Sequence, residues 1–261
     1  MKIKYDPEYV ENFLIAYIGN KRRLIGLIKR AMEALPIKNS RKKRLSFIDY
    51  FAGSGVVSKL AKSAGFDVIS NDWEYYSYII NKAFLEISNE DLDSLFKKEG
   101  GIGRVIDTIN DLCNVSKKEE YIAKYYCPHS DKNPDIEHER MFYTKENGRI
   151  IDRIRKYIDT AYPESGSACV QKKRILLIAL LLYYSSKHSN TSGVFKGFHK
   201  GFGGSGGDAL TRILGRIELT IPKLSAGKGR YKIFKADALA LAKRLKKIKT
   251  DIAYLDPPYN Q

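Results

Sequence analysis

The residues best suited to chemistry in this 261-residue chain stand at its end: Asp256-Pro257-Pro258-Tyr259, directly after the apolar run Ile252-Ala253-Tyr254-Leu255. Such a run reads as a buried parallel strand that stops at its carboxyl end. Proline lacks an amide hydrogen and holds φ at about −65°, so neither strand nor helix continues through two of them. A carboxylate, a rigid carbonyl and an aromatic face are left side by side at a strand tip. That set suits an exocyclic amino group on a flat ring. Asp256 and a carbonyl near Pro257 accept its N–H bonds, and Tyr259 stacks on the ring. In open α/β sheets, ligands sit in the crevice outside the strand carboxyl ends. Taken alone, the same four residues are equally a turn that closes a strand, and the residues upstream decide.

Upstream, the same pattern recurs. Leu45–Phe51 reads as a buried strand, with Asp49 near its end to meet a cationic or hydroxyl-bearing group. Ala52-Gly53-Ser54-Gly55 then turns tightly into a helix over Val56–Ala64. Strand, glycine turn, helix is the setting that a nucleotide-type loop requires, and glycines let a ligand approach the backbone closely. No third glycine follows at the dinucleotide spacing, and no Gly-Lys-Ser/Thr follows either, so neither of those fingerprints applies. Asp67–Asp72 reads as a second strand ending in an acid, 17 residues beyond Gly55. An acid there is placed for a ribose hydroxyl, and Trp73 suits covering an adenine ring. A helix over Tyr75–Ile87 completes a β-α-β-α half. Tyr231–Asp237 is a third strand ending in an acid, followed by a helix over Ala238–Lys247 with a basic outer face.

The remaining stretches position these or do something else. Residues 1–12 are polar and read as an arm. Gly19 breaks the apolar run Phe13–Ile18, and Leu24, Ile25, Leu27, Ile28, Met32 and Leu35 then recur as on a helix that Pro36 ends. Lys21 near its start offers a positive charge and amide donors to an anion. The alternative is an amphipathic helix with a solvated basic face. Lys38–Arg44 reads as a solvated basic loop. From about 88 to 190 the β-α rhythm gives way to polar and charged helices, with Lys117-Lys118-Glu119-Glu120 and Tyr121–Tyr126 alternating charge and aromatics. Cys127-Pro128-His129 with His138 lacks the four ligands in paired spacing of a zinc site, so no metal is expected. Gln171–Lys187 is a strongly apolar helix. Ser192–Gly207 interleaves glycines, cations and aromatics. Such a loop follows a phosphate backbone with amides and with Lys196, His199 and Lys200, and sets aromatics against bases. The alternative is a flexible loop over the sheet edge. Ala209–Leu219 reads as helical.

Composition sets the frame. The length suits one large domain, or one domain with an insert. Forty-six Lys and Arg against 30 Asp and Glu give a net charge of +16, which points to nucleic acid or another anionic surface; a generally lysine-rich proteome gives the same excess. Cys113, Cys127 and Cys169 are scattered and odd in number, against a disulfide framework. No secretory signal is visible, and the longest apolar stretch, Ile175–Tyr184, is too short to span a bilayer. A soluble cytosolic protein is expected.

Together these motifs resemble the Dam-type, alpha-ordered adenine-N6 DNA methyltransferases. The resemblance rests on Tyr17-x-Gly19-x-Lys21, then Phe51-x-Gly53-x-Gly55, the strand-end acid Asp72, a long insert, the strand-end acid Asp237 and finally Asp256–Tyr259. It covers nearly the whole chain outside the insert. The resemblance implies an α/β fold: a Rossmann-like, S-adenosylmethionine-dependent methyltransferase sheet with an inserted, mainly helical DNA-recognition region. It implies a catalytic domain over 1–87 and 211–261 and a target-recognition insert over about 88–210. Tyr17, Gly19 and Lys21 would line the methionine end of the cofactor. Phe51, Ala52, Gly53 and Gly55 would pass beneath it, with Asp49 adjoining. Asp72 would hold the ribose, with Trp73 over the adenine ring, and Asp237 the adenine amino group. Asp256, Pro257 and Tyr259 would hold a target adenine flipped out of duplex DNA. A cytoplasmic protein, on the nucleoid when bound to DNA and part of a restriction–modification system, is the implied setting.

One departure from the family pattern is that the chain stops at Asn260-Gln261, where family members continue with further strands. A missing portion, a second polypeptide that supplies it, or a truncated and inactive product are the alternatives. Other readings are methylation of a different amino group, on RNA or a protein glutamine, and a non-catalytic DNA-binding subunit. The motif order and the long basic insert favour DNA.

Overall fold

The computed structural model describes residues 2–16, 19–37, 44–112, 119–191, 197–207, 209–226 and 229–258. Tyr17, the basic residues 38–43, Cys113, Lys117, Lys118, Lys196 and Tyr259 lie outside the described residues. The chain divides into two compact units: Met1–Leu14 with Gly19–Ser94 and Pro222–Gln261, and Ile15–Ile18 with Leu95–Ile221.

In the first unit the N-terminal segment is packed, not a polar arm. The Asp6 side chain accepts from the amides of Glu8 and Tyr9, and Pro7 takes the first helical position, which starts α1 (Pro7–Glu11). Tyr9 and Val10 are fully buried, and the Tyr9 hydroxyl donates to the Phe84 carbonyl at 2.6 Å. The polar residues that suggested an arm face outwards; three apolar ones, Ile3, Tyr9 and Val10, join the core. A 3-10 turn over Lys21–Leu24 leads into α2 (Ile25–Ala34). Then follow β1 (Ser46–Asp49), α3 (Val56–Ser63), β2 (Asp67–Asp72), α4 (Tyr75–Glu86) and α5 (Asn89–Leu95).

The second unit is helical. In α6 (Ile102–Asn110), Ile102, Val105, Ile106 and Ile109 are buried, the stripe that a helix turns to a core. After α7 (Ile122–Tyr125), Thr144 caps α8 (Lys145–Ala161) and Ser167 caps α9 (Ala168–Lys187), each accepting a first-turn amide. Helices α7 and α9 both pack on α8. Helix α10 spans only Leu210–Leu214, shorter than the periodicity suggests. Beyond Gly215 the amides of Ile217 and Leu219 donate to the side chains of Asn147 and Asn110, each at 2.9 Å, in place of helical carbonyls. Two asparagines, Asn147 buried and Asn110 half-buried, thus draw the chain out of the helix. Among the described residues, no helix is long and apolar enough to cross a membrane.

Returning to the first unit, β3 (Tyr231–Lys235), α11 (Ala238–Leu245) and β4 (Ile252–Tyr254) complete it. The four strands form one parallel sheet in the order β3-β2-β1-β4. Register sets Asp49 beside Ser70 and Tyr254, and Asp72 beside Lys235, so the acid-bearing ends finish on one side. Strand β4 is less buried than its apolar run implies: Ile252 is buried, Ala253 exposed and Leu255 65% exposed. Among the described residues β4 pairs with β1 alone.

Candidate active site

Asp49 ends β1 and is only 1% exposed. Its Oδ2 accepts from the Ser58 hydroxyl at 2.8 Å and its Oδ1 from the Phe51 amide at 3.3 Å. Burial pushes its carboxyl up to about 7, Ser58 and Phe51 pull it back, and the fields of Asp72 and Asp256 push it further up. Asp72 and Asp256 are therefore both close enough to act on Asp49. Tyr254 belongs to the same group: burial raises its hydroxyl, and so do the charges of Asp256 and Asp49.

The glycine turn is bolted in place from both sides. Gly55 adopts φ 79° at the start of α3, the left-handed region that favours glycine. A Cβ there would also lie 2.6 Å from the Asn81 side-chain oxygen. The Gly53 amide donates to Asp72 Oδ2 at 2.6 Å, and the Gly53 carbonyl accepts from the Ser77 hydroxyl at 2.7 Å. The Ala52 amide donates to the Asn71 carbonyl at 2.9 Å. Asp72 Oδ1 accepts from the Glu74 amide at 2.9 Å, which fixes its carboxylate beside the turn. Trp73, next in sequence, is 69% exposed. Asp237 stands two residues past the end of β3, and its Oδ1 caps α11 through the Ala240 amide at 2.8 Å.

At the tip of β4, the Lys21 ammonium lies 2.7 Å from Asp256 Oδ2 and donates to the Gly19 carbonyl at 2.8 Å. Gly19 has φ 83°. The lysine does not serve a helix N-terminus open to an anion. The Asn20 side chain caps the 3-10 turn through the Arg22 amide at 2.9 Å, and the ammonium turns to this chain's own carboxylate. Pro257 and Pro258 are exposed beyond it. Gly19, Lys21, Asp49, Phe51–Gly55, Asp72, Asp237 and Asp256 are thus gathered on the strand tips of one unit.

The glycine-rich loop belongs to the second unit. Its described part, residues 197–207, is held by one buried side chain. Asn190 Nδ2 donates to the carbonyls of Met141 (2.9 Å), His199 (3.0 Å) and Gly201 (3.3 Å), and its Oδ1 accepts from the Gly203 amide at 3.1 Å. Gly201, Gly203 and Gly204 all have positive φ. The Phe198 and Phe142 rings meet edge-on at 4.9 Å. Lys200 is exposed and His199 half-buried. The cysteine–histidine pattern comes apart here. Cys127 is buried, its thiol pushed up to about 12 by burial, while His138 pairs with Asp135 at 3.0 Å. Among the described residues no three metal-ligating side chains come together.

With this geometry in view, residues 17–261 match the family of D12 class N6 adenine-specific DNA methyltransferases. The chain belongs to that family. It is 30% identical to the type II methyltransferase M.NlaIII of Neisseria lactamica over 251 residues, covering 94% of this chain and 64% of that protein. It is 30% identical to the type II methyltransferase M.FokI of Planomicrobium okeanokoites over 247 residues, 94% of this chain and 34% of that protein. It is 29% identical to the modification methylase LlaI of Lactococcus lactis subsp. lactis over 244 residues, 93% of this chain and 35% of that protein. The chain therefore spans between about a third and two thirds of the length of these relatives.

The acids and glycines at the strand tips are held by side chains outside the motifs that the sequence offers. Ser58, Ser70, Ser77 and Asn81 are all buried and hydrogen-bonded behind the glycine turn. Asn71 is buried between the strand tips. Nothing in their spacing marks them, because their partners come from other segments of the chain. The one available signal is a polar residue on a face that periodicity assigns to the core.

Proposed function

We propose that this chain transfers the methyl group of S-adenosylmethionine to the N6 amino group of an adenine in a specific duplex DNA sequence, as the modification half of a restriction–modification system. The observation that carries this reading is the contact between Lys21 and Asp256. A strand-end carboxylate already takes an N–H donor from a cationic nitrogen, beside prolines that offer carbonyls but no amides. An amino group gaining positive charge is the same kind of partner.

The donor set fits the cofactor. Four strand-tip carboxylates suit a molecule that carries a sulfonium, an ammonium and two ribose hydroxyls, and the glycine turn lets it lie close to the backbone. Asp72 binds the ribose, with Trp73 over the adenine, and Asp237 takes the adenine amino group. Phe51, Ala52, Gly53 and Gly55 form the floor, with Asp49 beneath. Tyr17, Gly19 and Lys21 line the methionine end. When bound, the cofactor supplies a methyl group already activated by its sulfonium.

The chain's own residues do the rest. The N6 lone pair is conjugated into the purine and is a poor nucleophile. Asp256 and the Pro257 carbonyl accept its two N–H bonds, which draws the nitrogen towards tetrahedral geometry. The Asp256 carboxylate also stabilises the positive charge that grows there. Lys21 gives up this acceptor as the amino group arrives. Holding nitrogen and methyl in line supplies much of the rate. The base must first leave the duplex, at a cost of a few kcal/mol, and Tyr259 stacks on it. The inserted region, about 88–210, reads the DNA, with Lys196, His199 and Lys200 on its backbone.

The test is transfer of tritiated methyl from S-adenosylmethionine into unmethylated duplex DNA, with Asp256→Ala alongside. Transfer into adenine should fall by about a hundredfold or more in the variant, while affinity for S-adenosylhomocysteine stays near the wild-type value. Equal turnover by the variant would reject the catalytic role, and label on a base other than adenine would reject the substrate.

A further inference from the structure

Three segments of the cofactor crevice meet at one side chain. Asn71 is the penultimate residue of β2 and is 1% exposed. Its Nδ2 donates to the Tyr50 carbonyl at 3.0 Å and to the Ala236 carbonyl at 3.1 Å. Its backbone carbonyl accepts from the Ala52 amide at 2.9 Å. Tyr50 immediately precedes Phe51 and the glycine turn, Ala236 precedes Asp237, and Asn71 itself precedes Asp72. The Asn71 amide therefore spans the tips of β1, β2 and β3, one residue behind each group that faces the crevice, alongside the backbone bonds from Ala52 to Asn71 and from Ala236 to Asp72.

Strand pairing alone does not do this. The last pairs of the ladder are Asp49 with Ser70 and Asp72 with Lys235. Past them the amides of Ala236 and Tyr50 still donate to the carbonyls of Asp72 (3.2 Å) and Tyr254 (3.3 Å), but among the described residues no backbone bond joins β1 to β3, which β2 separates. A planar side-chain amide with two donors reaches one carbonyl on each side of β2. The rest of the side chain is unexplained by folding. Oδ1 is buried and accepts no hydrogen bond from the described residues. A buried acceptor left unpaired lowers stability.

We propose that Asn71 is a positioning residue of the cofactor site, whose amide sets the spacing of Phe51, Asp72 and Asp237. This rests on the reading of those segments as the S-adenosylmethionine site. It adds that their mutual distance, not only their identity, is fixed by one buried side chain.

The experiment measures affinity for S-adenosylhomocysteine by calorimetry in the wild type, Asn71→Leu, Asn71→Asp and Asp72→Ala, with thermal unfolding of each. Asn71→Leu keeps the volume and removes both bridging bonds. It should bind about tenfold more weakly, as expected for two lost neutral hydrogen bonds, at temperatures where it is folded. Asn71→Asp keeps the shape but donates to a carbonyl only when protonated. The ratio of its dissociation constant to that of the wild type should therefore fall as the pH drops from 8 to 6. Both proteins are compared in an Asp49→Asn background, which removes the titration of Asp49 that a new neighbouring carboxylate would shift. A merely structural role would lower the unfolding temperature and leave affinity and this ratio unmoved.

A leucine variant that is folded and binds like the wild type would overturn the inference. Should that variant not fold, a flat ratio for Asn71→Asp would do the same. Wild-type affinity in Asp72→Ala would instead reject the cofactor reading beneath it; weakened binding there, with both Asn71 variants normal, would reject the inference alone.

Discussion

Asp49 sits at the head of a buried chain of hydroxyls: Asp49 to Ser58 at 2.8 Å, Ser58 to Ser70 at 3.1 Å, Ser70 to the Asn81 oxygen at 3.2 Å. Each hydroxyl has one proton to give. With Asp49 protonated, every member donates to the next and the chain is satisfied. With Asp49 ionised, Ser58 must turn its proton to the carboxylate and Ser70 loses a donor. The bonds from Ser58 and Phe51 favour the ionised form, but burial outweighs them, so the carboxyl is pushed up to about 7. A cationic ligand beside it favours the ionised form, so proton and ligand compete. Affinity for S-adenosylmethionine should then rise severalfold from pH 6 to pH 8 and level off above about 7. In Asp49→Asn the affinity should hardly change with pH. Calorimetric titration across that range decides, and an equally steep profile in the variant would assign the proton elsewhere.

Helix α3 shows what an element reveals only once it is packed. Its sequence, Val56–Ser63, carries Lys59 and Lys62 at positions that read as an ordinary solvated edge. Both are buried, at 1% and 2% exposure. The Lys62 ammonium donates to the carbonyls of Phe84, Leu85 and Ile87 at 3.1, 2.8 and 3.1 Å, serving as the C-terminal cap of α4. Lys59 donates to the Asn12 carbonyl at 2.7 Å and lies over the rings of Tyr9 and Phe84. Lysine was legible here as a helix former, but its burial was not, because the carbonyls that receive it come from 22 to 47 residues away in sequence. Burial, with the nearby charge of Lys62, lowers the Lys59 ammonium to about 7, while the unfolded chain holds its proton to an ordinary lysine value. Between those values the unfolded state binds more protons, so this group makes the fold more stable as pH rises. The stability difference between wild type and Lys59→Met should therefore grow in favour of the wild type from pH 7 to pH 9. Urea denaturation at both pH values measures it. A difference independent of pH would mean that the lysine stays charged in the fold.

For the molecule as a whole, the sheet was legible and the clamps were not. Apolar runs that end in an acid give β1, β2, β3 and β4 nearly as read, because burial on a parallel sheet demands continuous apolar sequence. The acids and glycines of the crevice were legible for the same reason, since each breaks such a run. Asn71, Asn81 and Asn190 were not, because a lone asparagine has meaning only through the carbonyls that surround it. The charge of +16 is a property of the whole chain and carries its own consequence. A polyanionic partner releases counterions on binding, so affinity for duplex DNA should fall steeply with salt. The slope counts phosphate contacts, and each contributes about −0.9 to it. Lys200 is exposed on the loop that Asn190 pins through His199, Gly201 and Gly203. A cation on a pinned loop forms a defined contact and not a diffuse one. Lys200→Ala should therefore shallow the salt slope by about one and weaken binding alike across DNA sequences. Fluorescence anisotropy from 50 to about 300 mM salt, with a cognate and an unrelated duplex, reads both effects. An unchanged slope would take this loop off the DNA. A loss confined to one sequence would move Lys200 from the phosphates to a base edge.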